Sequence, residues 1–354
     1  MSFASGTGMA DPKILALIMA GGSGTRFWPA SRPENPKQYL NLLGASSLIQ
    51  KTVARLIPEI PANSIAVCST TSQTARLRDQ LPEVKTLISE PEGKNTAACV
   101  ALSALSFLKQ GHDPKTVLIT LPADHFIHEE QKFRDLLKQA ARFAVETGNL
   151  ITFGIIPEYA HTGYGYIERG PSVPGSSDVF LVSRFVEKPD KATAEAYLKS
   201  QSFYWNSGMF VWTLAAIETA FKKYMPSLWN RLEEGLAKDT LPQIYRSLPS
   251  IPIDVGILEK ADNVAVITAN IGWSDVGSWN AVYSLQKPDE KGNVSLQAQT
   301  ALIESKNCLV YGPSTTEVAL VGVQDLIVVV DQNRVLVCHR DSDQLVRETG
   351  KRFK

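Results

Sequence analysis

The chain has 354 residues, 36 basic and 36 acidic side chains, and 44% hydrophobic residues. At this length about 75% of the unfolded surface can be buried, enough for one large domain and a smaller one without covalent staples. Zero net charge argues against a general nucleic-acid binder, which is usually basic. No apolar run is long enough to span a membrane.

Taken in chain order, residues 1–12 (MSFASGTGMADP) lack a basic start followed by an apolar stretch, so no secretory signal is expected. Being short and polar, they predict a disordered leader, and a cytoplasmic protein follows. ILALIM (14–19), SIAVCS (64–69), TLISEP (86–91), TVLITLPAD (116–124) and LITFGII (150–156) are apolar runs bounded by turns, as expected of strands buried on both faces. Between them lie helical patterns at 47–60, 71–81, 95–110 and 131–147. Strands alternating with helices predict an α/β fold, a Rossmann-like doubly wound, mostly parallel sheet. YGYIERG (164–170) and FLVSRFVEKP (180–189) read as strands around a loop, 193–201 as a helix, GMFVWT (208–213) as a strand, and 214–236 as mostly helical. From 292 to 340, short strands rich in valine, isoleucine and leucine follow one another with no helix between them. The domain expectation is therefore a leader at 1–12, a main domain at 13–290 and a small all-β domain at 291–354. Cys68, Cys99, Cys308 and Cys338 form no CxxC pair and lie in apolar or mixed runs, which predicts reduced core thiols.

The most informative stretch is AGGSGTRFWPASR (20–32), which follows the first strand. In an open α/β sheet, ligands bind outside the carboxyl ends of strands. Gly21, Gly22 and Gly24 let backbone N–H groups approach a ligand and form an anion nest. Arg26 adds a fork of donors suited to phosphate oxygens, and Lys37 follows in RPENPKQYL. A dinucleotide fingerprint would need glycine at position 27, where Phe27 stands, and a P-loop would need G-K-[ST], which is absent. The plainer alternative is a tight strand-to-helix turn with no ligand.

This long motif, G-G-S-G-T-R-F-W-P-A-S-R with P-K-Q after it, closely resembles the signature of sugar-1-phosphate nucleotidylyltransferases. Its Phe-Trp-Pro and Pro-Lys-Gln wording is most similar to the branch that uses GTP and mannose 1-phosphate. The resemblance implies that Ala20, Gly21, Gly22, Ser23, Gly24, Thr25 and Arg26 wrap the nucleotide's triphosphate and that Arg26 and Lys37 hold the departing pyrophosphate. It covers nearly all of the chain after residue 13. For the tail it implies a short left-handed β-helix. Larger relatives append an isomerase domain beyond such a region, and no isomerase activity is expected here.

Other constellations gain meaning beside that motif. Asp124 in LPADHFI and Asp275 in WSDVGSW are hard-oxygen ligands suited to Mg²⁺, although aspartates also cap turns and helices. The resemblance implies that these two hold the metal, one from the nucleotide half and one from the sugar half. His125 and His128 lie nearby, where packing or surface roles are expected. In FVEKP, Lys188 supplies a point charge and Glu187 an acceptor for hydroxyls, or the two form a surface ion pair before a proline turn. The family places them on the sugar phosphate and sugar. By the same resemblance Gly163, Tyr164 and Gly165 border the sugar, Asn206 in YWNSGMF reaches the hexose, and Asn95 and Thr96 in EPEGKNTA contact the nucleotide. Helix capping by Asn95 is the plain alternative, and the two can coexist. IDVGILEK (253–260) departs from the family's usual wording but keeps Asp254, Glu259 and Lys260.

The resulting expectation is a nucleotidyl transfer from GTP to mannose 1-phosphate, giving GDP-mannose and pyrophosphate with Mg²⁺, and with no nucleic-acid or membrane partner. Arg26, Lys37 and Lys188 are the expected catalytic residues. The same chemistry with another NTP or hexose 1-phosphate is an alternative, as is a catalytically silent relative that only binds nucleotide sugars. The β tail and the 157–180 region could both serve a homodimer, and no sequence feature decides that.

Overall fold

The computed structural model describes residues 11–22 and 25–353. Residues 1–10 of the expected leader, and Ser23 and Gly24 of the glycine loop, lie outside the described residues. Asp11, expected to belong to that leader, is described and pairs with Arg142 at 2.9 Å. The chain forms two compact units that are not consecutive in sequence. The first takes residues up to 21, 55–122 and 127–273. The second takes 22–54, 123–126 and 274–354. The sequence places its boundary at 290/291, where composition changes; the spatial division follows which residues share a core.

The first unit is built on a nine-stranded sheet in the order Thr86–Glu90, Ile65–Thr70, Ile14–Met19, Val117–Pro122, Phe203–Thr213, Leu150–Ile155, Val264–Ala269, Val179–Val186, Tyr166–Ser172. The first four strands are parallel, with Leu17 beside Ala66 on one side and Thr120 on the other. Leu150–Ile155 and Val264–Ala269 are also parallel. Phe203–Thr213 runs antiparallel to both neighbours, and the Tyr166–Ser172 and Val179–Val186 strands form an antiparallel pair. The sheet is therefore mixed: its parallel portions are those where strands and helices alternate in sequence, as expected, and the antiparallel ones fall after residue 157.

Successive strand residues face opposite sides, and both sides are covered. Leu15, Leu17, Ala66 and Cys68 share a core with Ala97, Ala101 and Ala104 of the helix Asn95–Lys109 and with Phe221 and Trp229 of later helices. Leu150 belongs to that core, so Phe153 points the other way, where Phe133 of the helix Glu130–Thr147 meets it at 6.3 Å between ring centroids. Gly154 has a positional reason: a Cβ there would lie 2.7 Å from both Tyr204 Cγ and Val266 Cγ2. The helical stretch expected over 214–236 is two helices, Leu214–Tyr224 and Pro226–Ala237. Pro226 has no N–H to continue the first helix and serves as the first residue of the second.

The second unit contains the all-β tail. Val294–Leu296, Leu309–Tyr311 and Leu326–Asp331 pair in parallel, Val294 against Leu309 and Leu309 against Ile327. Gln299–Ile303 pairs in parallel with Glu317–Val321. The run of short strands thus forms an all-β region as expected, and parallel neighbours joined without a helix make successive turns of a coil, as the resemblance implies for the tail. Arg334–His339 closes the set antiparallel to Leu326–Asp331. The core of this unit combines Leu309, Tyr311, Ile327 and Val329 with Phe27, Trp28, Leu40 and Trp279. Those early aromatic and aliphatic side chains draw 22–54 into the same unit as the tail. No helix among the described residues is long and apolar enough to cross a membrane.

Candidate functional site

Three of the expected site residues meet within the second unit. Lys37, in the short 3₁₀ turn Lys37–Tyr39, is buried at 7% exposure. Its Nζ lies 2.9 Å from Asp124 Oδ2 and donates to the backbone carbonyl of Asp275 at 2.5 Å. It also lies 5.8 Å from the centroid of the Phe27 ring. One ammonium thus ties together three segments far apart in sequence. Burial alone would push the Asp124 carboxyl up; the charges of Lys37 and His125, with the hydrogen bond from Lys37, hold it below the ordinary carboxylate range. Asp124 is therefore ionised at neutral pH.

Asp275 is shaped by its neighbours. Val276 has φ +47°, a left-handed conformation costly for a β-branched residue, and its side chain is fully buried. Its N–H is bonded to Ser274 Oγ at 3.1 Å. A Cβ on Gly277 would lie 2.6 Å from Asp275 Oδ2, so the carboxylate occupies the space that the missing side chain leaves. Trp279 holds the segment down: it is fully buried, meets Phe27 edge-on at 5.1 Å and donates from Nε1 to the Trp28 carbonyl at 3.3 Å. WSDVGSW is thereby pinned to the TRFWP segment. Lys37 is thus tied to the Asp124 carboxylate and to the Asp275 main chain, and the two carboxylates are hard-oxygen donors of the kind that suits a divalent cation. Lys37 engages Asp124 through Oδ2.

Arg26 sits half-buried in the 3₁₀ turn Thr25–Phe27, and among the described residues it forms no ion pair. At the start of the loop, in the first unit, Ala20 is held by its N–H to the Cys68 carbonyl at 2.8 Å and by Ser69 Oγ, which donates to its carbonyl at 2.7 Å. Gly21 and Gly22 are exposed.

In the first unit, the helix Asn95–Lys109 begins with Asn95 at φ +66°. Asn95 does not act as a conventional cap: its Oδ1 accepts from the next residue's N–H, Thr96, at 2.9 Å. Thr96 Oγ1 accepts from the N–H of Ile253 at 2.8 Å. Part of the Thr96 hydroxyl's capacity is therefore spent on the chain itself, a use that the motif did not announce.

The residues expected around the sugar also gather in the first unit. The Asn206 N–H bonds to the Gly165 carbonyl at 2.8 Å, and its Nδ2 donates to Asp254 Oδ1 at 2.7 Å. A Cβ on Gly165 would lie 2.9 Å from Glu187 Oε2, so Glu187 lies against the glycine. Burial pushes the Asp254 carboxyl up, the hydrogen bond from Asn206 opposes this, and the nearby Glu187 and Glu259 add to the rise. Glu187 and Lys188 form an exposed ion pair, with Lys188 at φ +43°. Tyr164 stacks on His161 at 3.8 Å and meets Trp205 edge-on at 5.1 Å, while exposed Gly163 donates its N–H to His161 Nδ1 at 3.1 Å. Sequence reasoning missed His161 and Trp205, and it noted Asp254 without a place in the site. Aromatic spacing in TGYGYIE and YWNSG was the available signal. Of the two nearby histidines, His128 is exposed, as expected, and its N–H bonds back to the Ile271 carbonyl at 3.1 Å.

Residues 15–292 match the family model described as nucleotidyl transferase, and residues 299–353 match that of the MannoseP isomerase/GMP-like beta-helix domain. A mannose-1-phosphate guanylyltransferase of Klebsiella pneumoniae is 37% identical over 353 residues, covering 96% of this chain and 74% of that protein. Mannose-1-phosphate guanylyltransferase 2 of Escherichia coli O157:H7 is 36% identical over 363 residues, covering 98% and 74%. A crystal structure from Thermus thermophilus, described as a mannose-1-phosphate geranyltransferase, superposes with a TM-score of 0.88 at 35% identity, covering 96% of this chain and 99% of that one.

Proposed function

This chain belongs to the nucleotidyl transferase family, and we propose that it transfers the guanylyl group of GTP to mannose 1-phosphate, releasing pyrophosphate and giving GDP-mannose. The observation that carries this reading is the buried Lys37 bonded to both Asp124 and the Asp275 segment, beside relatives named for that reaction.

A phosphate oxygen of mannose 1-phosphate attacks the α-phosphorus in line. A new P–O bond forms, the bond to the β-phosphate oxygen breaks, and pyrophosphate leaves with its electrons. The attacking oxygen is already anionic, so no side-chain nucleophile or base is needed. Catalysis rests on positioning and on neutralising charge. The exposed Gly21 and Gly22, which follow Ala20 with its own N–H held by Cys68, offer N–H groups to the triphosphate. Arg26, with no carboxylate partner among the described residues, stabilises charge growing on pyrophosphate. Lys37 acts chiefly through its bonds, keeping Asp124 ionised and the Asp275 segment in place. Lys188 orients the incoming phosphate, leaving Glu187 for it. Gly163, Tyr164, Gly165, Glu187 and Asn206 hold the hexose, and Asn95 and Thr96 the nucleoside. Asp124 and Asp275 would hold Mg²⁺, which supplies charge neutralisation on the phosphate oxygens.

The test is pyrophosphate release by the purified chain with Mg²⁺, across four NTPs and a panel of hexose 1-phosphates. Release with GTP and mannose 1-phosphate above all other pairs is expected. Release with another pair replaces the substrates and keeps the chemistry; no release with any pair, from protein that binds nucleotide, overturns the reading.

A further inference from the structure

We propose that Cys68, Cys99 and Glu90 form a binding site for a thiophilic divalent cation of the Zn²⁺ class, separate from the aspartates assigned to Mg²⁺. Cys68 lies on the strand Ile65–Thr70, Glu90 ends the adjacent strand Thr86–Glu90, and Cys99 lies near the start of the helix Asn95–Lys109. The parallel register sets Thr70 beside Glu90, so the acid and Cys68 stand at the same end of neighbouring strands. One ligand atom from each of the three residues lies within 4.8 Å of the other two. Two thiolates in a tetrahedral zinc site stand about 3.8 Å apart, from Zn–S bonds of about 2.3 Å. The 4.8 Å limit on the separations here is about 1 Å wider than that value.

A second observation points the same way. Glu90 is 3% exposed, yet among the described residues no lysine, arginine or histidine pairs with it. Its immediate polar company is the Tyr245 phenol, which donates to Oε1, and the two thiols. A cation bound among Glu90, Cys68 and Cys99 would displace the protons they hold and take the carboxylate and the thiolates as its ligands. Two sulfur ligands select against Mg²⁺ and toward Zn²⁺ or its thiophilic congeners. The site lies beside the exposed Gly21: Glu90 Oε2 is 3.7 Å from where a Cβ on that glycine would stand. The three protein ligands leave a fourth position for water.

The experiment titrates the full-length chain with Co²⁺ as an optical probe and with Zn²⁺ against a chromophoric chelator. One equivalent of Co²⁺ is expected to give thiolate-to-metal charge-transfer absorption. That band should vanish in the Cys68→Ser/Cys99→Ser double variant, with Zn²⁺ affinity falling about 100-fold or more. Cys99→Ala alone and Glu90→Gln, each checked for fold by circular dichroism, cover the case in which the double variant does not fold; each should weaken binding. No thiolate band in the native chain, or a band and affinity unchanged in the folded variants, overturns the proposal.

Discussion

Lys37 Nζ stands 2.9 Å from Asp124 Oδ2, and the same nitrogen donates to the main chain at Asp275. A buried ammonium is thus satisfied by one carboxylate and one carbonyl, and each acceptor belongs to a residue assigned to the metal. Replacing Lys37 with methionine keeps most of its volume and removes both bonds. Burial then prevails at Asp124, whose carboxyl rises. Native Asp124 stays charged down to below the ordinary carboxylate range, so its ionised form is lost only as pH falls through that depressed value. In Lys37→Met the acid limb of kcat/KM should move to higher pH, and turnover at neutral pH should fall about 100- to 1,000-fold. An unmoved acid limb would show that Lys37 does not govern Asp124.

Gly277→Ala tests the placement of Asp275. The added Cβ would meet Oδ2 at 2.6 Å, so the carboxylate must swing away. A displacement near 1 Å is enough to lower kcat/KM about 100-fold. Mg²⁺ affinity, read from the metal dependence of turnover, should fall with it, while the thermal midpoint changes little. Native metal dependence in a folded variant would remove Asp275 from the metal site.

Arg26 and Lys188 should separate kinetically. Arg26→Ala should lower kcat about 100- to 1,000-fold, because its charge is needed as pyrophosphate departs. Lys188→Ala should mainly raise KM for mannose 1-phosphate, about tenfold, with a smaller effect on kcat. Steady-state kinetics with each substrate varied in turn distinguishes them, and an unchanged KM in Lys188→Ala counts against its assignment.

Glu90 makes stability depend on pH. Burial raises its carboxyl above the ordinary value, and the hydrogen bonds from Tyr245 and Cys68 only partly oppose this. The protonated form is favoured in the fold, so its contribution is full below the unfolded value and is lost as pH rises through the raised one. Across that window stability should fall by up to about 1.4 kcal/mol per pH unit from this group. Glu90→Gln, whose carbonyl still accepts from Tyr245, should flatten the dependence. Urea unfolding between pH 5 and 8 measures it; equal slopes in both proteins would contradict the assignment.

Strands such as Ile14–Met19 and Val117–Pro122 are legible in the sequence because burial on both faces leaves an apolar run that turns interrupt. The 11-residue strand Phe203–Thr213 is legible only from Gly208, because its first half (FYWNS) mixes aromatic and polar residues. The break at Pro226 is visible as a proline inside a helical pattern, but the apolar spacing on both sides masks it.

By itself the sequence determined the chemistry on offer: a glycine loop with Arg26, aspartates in turn-rich motifs, and a tail of short strands. These are local properties, set by residue type and spacing over a few positions. Tertiary structure decided the pairings. Lys37 reaches Asp275 across 238 residues, and Tyr245 reaches Glu90 across 155. It also decided that 22–54 shares a core with the tail and that Cys68, Glu90 and Cys99 converge. Such partners are chosen by which surfaces the sheet and core bring together, and no local pattern in the chain encodes that choice.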